Sequence, residues 1–120
     1  MQKTTLVLGA SDNEERYSNM AIKKLVAYKH PVIAIGNKIA VVGNIAIEKE
    51  LTSTEKIDTI TLYLSPKNQL PYYGLILAAN PSRIIFNPGT ENEALATLAT
   101  SKGIEAINAC TLVMLATNQY

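Results

Sequence analysis

The sequence contains few of the side chains that build metal or redox centres. Its 120 residues include a single cysteine, Cys110, and a single histidine, His30. One cysteine excludes an internal disulfide framework and a cysteine-rich zinc site, and one histidine excludes most multi-histidine metal centres. A Ser-His-Asp triad is formally allowed, but it would depend entirely on His30. We therefore expect no metal site and no catalytic residues of these kinds.

Charge of either sign is also scarce. Charged residues make up 18% of the chain, and eleven lysines and arginines balance ten aspartates and glutamates, which gives a formal net charge of +1. A protein that binds nucleic acid without sequence specificity needs a basic stripe, and this balance argues against one. We therefore expect no nucleic-acid partner.

Apolar segments long enough to span a bilayer are lacking as well. The longest charge-free stretch near the C-terminus, residues 106–120, is short and is interrupted by Asn108 and Asn118. The first residues lack the charged region, apolar core and cleavage site of a secretory signal. These features predict a soluble, cytoplasmic protein with no membrane contact.

Hydrophobic residues, by contrast, reach 48%, which suits one domain over residues 1–120 with a buried core. Short apolar runs alternate with helical patterns. In the first helix, the apolar stripe consists of Tyr17, Met20, Ala21, Leu25 and Tyr28.

Strands are predicted at residues 4–8, 32–35, 59–64, 84–86 and 104–107. Helices are predicted at residues 17–28, at about 68–80 with Pro71 in the first turn, and from a Thr90–Glu93 capping box to Gly103.

Two segments leave alternatives open. Residues 38–47 are apolar with Gly43-Asn44 near the middle, which favours either a short hairpin or one irregular strand. The apolar tail from Thr111 favours either a short helix or a segment that contacts a partner.

The alternation predicts an α/β fold of the Rossmann-like, three-layer α/β/α type, with a mostly parallel sheet of about five or six strands. In open sheets of this kind, ligands bind outside the carboxyl ends of the strands. Four loops should therefore share one rim, namely Gly9–Arg16, Gly36–Lys38, Ser65–Lys67 and Asn87–Thr90.

The loop after the first strand occupies the position of the phosphate-binding turn in dinucleotide-binding folds. Only the first glycine of the G-x-G-x-x-G fingerprint is present, as Gly9. Backbone N–H groups and the hydroxyls of Ser11 and Ser18 are suited to hold a phosphate at the helix N-terminus, and Arg16 could add a bidentate contact. The alternative is an ordinary strand-to-helix turn with a surface cluster of acids, Asp12, Glu14 and Glu15.

The loop after the second strand lacks the acid that accepts ribose hydroxyls in NAD-binding folds. It reads Gly36-Asn37-Lys38 and so places a cation there instead. This chemistry suits a ribose that carries a phosphate, as in CoA or NADP. The alternative is a solvated lysine in a turn.

Several motifs of the chain are similar to those of a known family. Gly9-Ala10-Ser11 is followed by Arg16-Tyr17-Ser18 at the start of a helix, and Asn37-Lys38 is similar to an Asn-Pro-Lys turn without its proline. Residues 87–93 and 109–115 provide supporting similarity. The chain resembles the small CoA-binding-domain proteins, which are relatives of the Rossmann-like CoA-binding domain of the succinyl-CoA synthetase α subunit.

The resemblance implies that CoA, acyl-CoA or a similar adenine nucleotide is the ligand, with NADP less favoured. Gly9, Ala10, Ser11 and Arg16 would meet the pyrophosphate, and Lys38 would lie near the ribose 3′-phosphate. Residues 64–66 would flank the adenine or the start of the pantetheine arm, and residues 87–89 would line the arm further along. The implied site residues are Gly9, Ala10, Ser11, Arg16, Tyr17, Ser18, Asn37, Lys38, Leu64, Ser65, Pro66, Asn87, Pro88 and Gly89.

We therefore expect a binding module rather than a stand-alone enzyme, because the phosphohistidine loop and ATP-grasp subunit of the larger relatives have no counterpart here. Two alternatives stay open. A minimal NAD(P)-binding oxidoreductase would need a substrate domain, for which the chain has no room. An interaction or scaffold protein would keep the fold without a ligand and use Thr111–Ala116 as its interface. A twofold homodimer is compatible with either a module or a scaffold.

Overall fold

The structure is a computed structural model and describes residues 2–120. The chain forms seven strands and five α-helices, and the second to fifth strands follow one another without a helix between them. The strands are β1 (Thr5–Leu8), β2 (Val32–Ile35), β3 (Ala40–Val42), β4 (Ile45–Glu48), β5 (Thr59–Leu62), β6 (Arg83–Phe86) and β7 (Glu105–Asn108). The helices are α1 (Tyr17–Ala27), α2 (Pro66–Gln69), α3 (Tyr73–Ala79), α4 (Glu93–Ser101) and α5 (Thr111–Ala116), with a 3₁₀ turn at Leu70–Tyr72 between α2 and α3.

The strands form one sheet in the order β3-β4-β2-β1-β5-β6-β7. All neighbours are parallel except β3 and β4, which pair antiparallel. The predicted Rossmann-like fold is confirmed, although the sheet has seven strands rather than about five or six. The additional strands arise because residues 38–47 form the hairpin of the two alternatives, with Gly43 at a φ of +60° in its two-residue turn.

Helices cover both faces of the sheet, which gives the three predicted layers. Successive residues of β1 point to opposite faces, so Leu6 and Leu8 join the core beneath α3 and α4, whereas Val7 joins the core beneath α1 and α5. Every residue of β1, β5 and β6 is buried, as expected for central strands of a parallel sheet.

Helix α1 buries a different stripe from the predicted one. Ala21 and Leu25 are buried as expected, together with Ile22, but Tyr17 is 69% exposed and Met20 and Tyr28 also face solvent. The apolar surface of α1 is therefore wider than the face it packs on the sheet.

The second predicted helix begins earlier and is interrupted. It starts at Pro66, and the 3₁₀ turn around Pro71 separates α2 from α3. Proline has no N–H to continue the helical ladder, which explains the break. Proline is tolerated at the first helical position, and Pro66 occupies it.

The cap of α4 also differs from the prediction. Asn92, rather than Thr90, caps the helix by accepting the Leu95 N–H at 3.2 Å. The Thr90 hydroxyl instead donates to the Asn87 carbonyl at 2.8 Å. Gly103 follows the helix with a φ of +78°, as predicted. Within residues 2–120, the helices are all too short or too polar to cross a membrane.

Candidate nucleotide-binding cleft

A cleft of about 580 Å³ opens at the carboxyl ends of the central strands. It gathers the loops after β1, β2, β5 and β6, as the topology of a parallel sheet dictates. All the predicted site residues line it except Lys38, Pro66 and Asn87. Gly36 and Thr90, from two of the predicted rim loops, also line it, and the lining residues that the sequence did not predict are Tyr63, Asn68 and Tyr72.

Two glycines let the loops after β1, β2 and β5 approach closely. Gly9 has a φ of +95°, and a Cβ atom there would lie 2.9 Å from the Tyr63 carbonyl carbon. A Cβ atom on Gly36 would lie 2.3 Å from the Ala10 carbonyl oxygen. Gly9 and Ala10 both donate their N–H groups to the Ile35 carbonyl at 2.9 Å, so these amides hold the loop instead of facing a ligand.

At the start of α1, in contrast to Gly9 and Ala10, two backbone amides have no hydrogen-bond acceptor in the described part of the chain. No side chain caps α1, and the N–H groups of Tyr17 and Ser18 have no acceptor among residues 2–120. Both residues line the cleft. Unsatisfied amides at a helix N-terminus, together with the helix dipole, favour an anion. The amides of the β1–α1 turn that lack an acceptor are therefore those of Tyr17 and Ser18, and not those of Gly9 and Ala10.

Internal hydrogen bonds hold the β1–α1 loop in this shape. Ser11 Oγ accepts the Asn13 N–H at 3.1 Å, and Asn13 Oδ1 accepts the Glu15 N–H at 3.0 Å. Asn19 on α1 is 2% exposed and donates from Nδ2 to the Ser11 carbonyl at 3.1 Å. Asn19 was missed from the sequence because a single polar residue in an amphipathic helix gives no signal of burial.

Of the charged residues described in the loop, Arg16 is the one that lines the cleft. The side chains of Asp12 and Glu14 are exposed and pair with Lys38 at 3.2 Å and with Lys23 at 3.6 Å. Arg16 lines the cleft, and no acidic residue is among the lining residues. The acids of the loop are therefore separate from the lining residues at the start of α1.

Asn87 is a structural residue rather than a lining one. It is 2% exposed, and its Nδ2 donates to Thr61 Oγ1 at 2.7 Å and to the Leu62 carbonyl at 2.8 Å. Its Oδ1 accepts the Thr111 N–H at 2.9 Å. These bonds join the end of β5, the end of β6 and the start of α5. Pro88 and Gly89, which follow Asn87, do line the cleft.

A second buried amide holds the loops after β5 and β6 together. Gln69 is fully buried, and its Nε2 donates to the carbonyls of Leu64 and Thr90 at 2.8 Å each. Its Oε1 accepts from Asn92 Nδ2 at 2.8 Å, and Asn92 also donates to the Tyr73 hydroxyl at 2.9 Å. Leu64 and Thr90 lie on the cleft wall, so Gln69 fixes its width.

Tyr63 and Lys67 have the Tyr-x-x-x-Lys spacing of a reductase dyad, but the surroundings do not suit proton transfer. Burial raises the pKa of Tyr63 to about 12. The Tyr63 hydroxyl has no hydrogen-bond partner in the described part of the chain, and Lys67 does not line the cleft. A general acid is most effective when its pKa lies near the working pH.

Tyr72 belongs to two clefts. It lines the cleft at the carboxyl ends of the strands and also a more open one of about 680 Å³ between segment 49–57 and α3, which contains none of the predicted site residues.

Cys110 and His30, the single cysteine and the single histidine, lie outside the cleft at the carboxyl ends of the strands. Cys110 is half-buried and does not line it. His30 lies at the amino ends of the strands, where its Nδ1 accepts the Lys3 N–H at 3.0 Å and its ring meets the edge of Tyr120. Burial, followed by the charge of Lys3, lowers the pKa of His30. Among residues 2–120, no group of three histidine, cysteine or acidic side chains is arranged to hold a metal.

The family of this chain follows from its similarity to known proteins. Residues 3–116 match the family described as CoA binding domain. The chain belongs to this CoA binding domain family. The resemblance predicted from the sequence motifs is thereby confirmed.

Solved structures similar to this CoA binding domain extend from small proteins to large synthetases. An uncharacterized protein of known crystal structure is 42% identical, with a TM-score of 0.96 over 100% of this chain and 99% of that one. A hypothetical protein from Pyrococcus horikoshii OT3 is 22% identical, with a TM-score of 0.88 over 97% of this chain and 83% of that one. No curated protein matches the sequence.

The fold also recurs as one part of a larger enzyme. The dinucleotide-forming acetyl-coenzyme A synthetase 1 of Ca. Korarchaeum cryptofilum, in a complex with phosphate and ADP, is 16% identical. Its TM-score is 0.71 over 89% of this CoA binding domain but only 25% of the synthetase. At this level of identity, the likeness shows the fold alone.

Proposed function

We propose that this protein is a binding module for CoA or a closely related adenine nucleotide, and that the ligand occupies the cleft at the carboxyl ends of β1, β2, β5 and β6. The observation that carries the proposal is the start of α1, where Tyr17 and Ser18 line the cleft beside Arg16 and their N–H groups have no acceptor among residues 2–120. Membership of the CoA binding domain family supports the choice of CoA.

The pyrophosphate of the ligand is assigned to the start of α1. There it accepts the Tyr17 and Ser18 amides and pairs with the Arg16 guanidinium. The hydroxyls of Ser11 and Ser18 supply further donors. Ser11 Oγ already accepts the Asn13 N–H, but its own proton remains free to donate to the ligand.

The rest of the ligand follows the cleft walls. Asn37 lies at the ribose position after β2, and Leu64, with Ser65 and Tyr72, forms the wall assigned to the adenine or the start of the pantetheine arm. Pro88 and Gly89 line the arm further along. Asn87 and Pro66 act through these neighbours, Asn87 by fixing the loop after β6 and Pro66 by starting α2.

The charge of the cleft favours an anion and supports binding rather than catalysis. Among the described residues that line it, Arg16 is the one cation, and none is an acid, histidine, cysteine or lysine. Nucleophilic or acid–base catalysis needs a pair of such groups within hydrogen-bond reach. The ionisable lining residues besides Arg16 are tyrosines, and Tyr63 has a pKa of about 12 because it is buried.

Isothermal titration with CoA, dephospho-CoA, NAD and NADP tests the proposal. We expect saturable binding of CoA with one site per chain. Arg16→Gln should weaken it by about tenfold, the cost of a lost charge-assisted hydrogen bond. Lys102→Gln removes a cation at the opposite end of the sheet and should leave the affinity unchanged. Negligible heat with all four nucleotides would overturn the proposed function.

A further inference from the structure

The loops after β1 and β2 are joined across the rim of the cleft by one ion pair. Ser11 and Asn37 line the cleft, and the residue that follows each of them forms the pair, with Lys38 Nζ 3.2 Å from Asp12 Oδ2. The side chains are 70% exposed for Lys38 and 41% exposed for Asp12. The cation of the ribose-side loop is therefore already paired with a carboxylate of the pyrophosphate-side loop.

The position of Lys38 gives this pair a consequence for ligand choice. In dinucleotide-binding folds, the loop after the second strand recognises the ribose, through an acid when its hydroxyls are free and through a cation when it carries a phosphate. In this chain the loop has no acid, and its cation is engaged by Asp12. A ribose phosphate carries about −1.5 to −2 charges near neutral pH, so it competes with Asp12 for the same ammonium group.

We propose that Asp12 is a specificity-determining residue: its carboxylate competes with the ribose phosphate of the ligand for Lys38 and reduces the preference for phosphorylated over unphosphorylated adenosine. This inference rests on the proposed function, because it places the adenosine ribose beside Asn37. When the phosphate displaces Asp12 from Lys38, the carboxylate loses its partner and remains close to a like charge. The chain should therefore bind CoA and dephospho-CoA with similar affinities.

Glu14 provides a matched control within the same loop. It is also an exposed acid paired with a lysine, but its partner is Lys23 on α1, at 3.6 Å, and not Lys38. Replacing either acid by its amide changes the net charge of the loop by the same amount. A general electrostatic effect on an anionic ligand would therefore strengthen binding in both variants. Loss of the competition between Asp12 and the ribose phosphate for Lys38 would strengthen binding in Asp12→Asn alone.

The test is the affinity of four forms of the protein for CoA and dephospho-CoA, measured by calorimetry: the natural chain, Asp12→Asn, Glu14→Gln and Asp12→Asn combined with Lys38→Gln. The natural chain should bind the two nucleotides within about threefold of each other, because the gain from an exposed ion pair is small. Asp12→Asn should strengthen CoA binding about three- to tenfold while dephospho-CoA changes less than about twofold. The added Lys38→Gln change should abolish this gain.

Each other outcome has a separate meaning. If Asp12→Asn strengthens both nucleotides equally, or behaves like Glu14→Gln, the role of Asp12 is overturned while the proposed function stands. If the natural chain binds neither nucleotide, the proposed function itself is overturned, and this inference with it. Circular dichroism of each variant verifies folding, which these exposed positions should preserve.

Discussion

The Cβ position of Gly36 lies only 2.3 Å from the carbonyl oxygen of Ala10. No side chain fits at that distance, so the end of β2 and the turn after β1 touch through their backbones. The same two segments carry the ribose side and the pyrophosphate side of the proposed site. The width of the cleft at this point is therefore fixed by a glycine.

Replacing Gly36 by alanine should separate these two loops. We expect Gly36→Ala to lower the free energy of unfolding by about 1–3 kcal/mol, the usual cost of an added methyl group in a tightly packed site. CoA affinity should fall further than in Arg16→Gln, for which a loss of about tenfold is expected. The reason is that the added methyl group would shift the whole turn after β1. Urea denaturation and calorimetry measure the two effects.

Gly74 offers the control for that substitution. It lies in α3, and a Cβ atom there would meet nothing within 4 Å. Gly74→Ala should be neutral or stabilise the protein by up to about 1 kcal/mol, because alanine favours a helix. Equal destabilisation by the two substitutions would contradict the close contact at Gly36.

Asn87 should prove important for stability although it does not line the cleft. Asn87→Ala removes both donated bonds and leaves the buried Thr111 N–H without its acceptor. At about 1 kcal/mol for each bond, with an added penalty for unsatisfied buried groups, the expected loss is about 2–4 kcal/mol.

Asn87→Asp distinguishes the hydrogen bonds that Asn87 donates from the one that it accepts. A carboxylate still accepts the Thr111 N–H but cannot donate to the Leu62 carbonyl, so it should also destabilise the fold, again measured by urea denaturation. A loss below about 0.5 kcal/mol for either variant, the level typical of exposed positions, would show that Asn87 does not hold β5, β6 and α5 together.

The stability of the fold should fall in mildly acidic solution because of His30. Burial and the charge of Lys3 lower the pKa of its imidazole, and the neutral ring accepts the Lys3 N–H. As the pH falls, His30 therefore takes up a proton first in the unfolded chain, near the usual histidine pKa of about 6.5, while in the folded chain it is still neutral. Stability is complete above that pH and is lost as the pH falls toward the lower pKa of the folded state.

His30→Asn isolates this effect from the carboxylates that titrate further down. The asparagine Oδ1 can accept the same N–H but does not ionise. Urea midpoints of the natural chain should therefore decline more steeply between about pH 6.5 and 5 than those of the variant. Parallel declines would remove His30 as the cause.

Much of the fold could be predicted because the deciding signals are local. The apolar run of β1 and the β-branched run of β5 show that both are buried strands, and the turn at Gly9 marks the end of the first. Once the strands are known to be parallel, their carboxyl ends must share one edge. That is why most predicted residues meet in the cleft.

Other features of the site depend on contacts that the local sequence does not encode. Lys38 points to Asp12, 26 positions earlier in the chain. Asn87 and Gln69 look like turn and helix-surface residues, yet each is buried by partners from other elements. In α1, Tyr17 continues the apolar stripe, so hydrophobic periodicity alone predicts a core residue. In the structure it is exposed and lines the cleft, where the family resemblance also placed it.

In the proposed complex, the ligand's pyrophosphate binds the free amides at the start of α1. Nitrogen–proton correlation spectra recorded during a CoA titration examine those two groups directly. The Tyr17 and Ser18 amide signals should shift most, to lower field as they gain an anionic acceptor, and at a CoA concentration below saturation they should shift less in Arg16→Gln. Saturable CoA binding that leaves both signals unmoved would contradict this placement of the pyrophosphate.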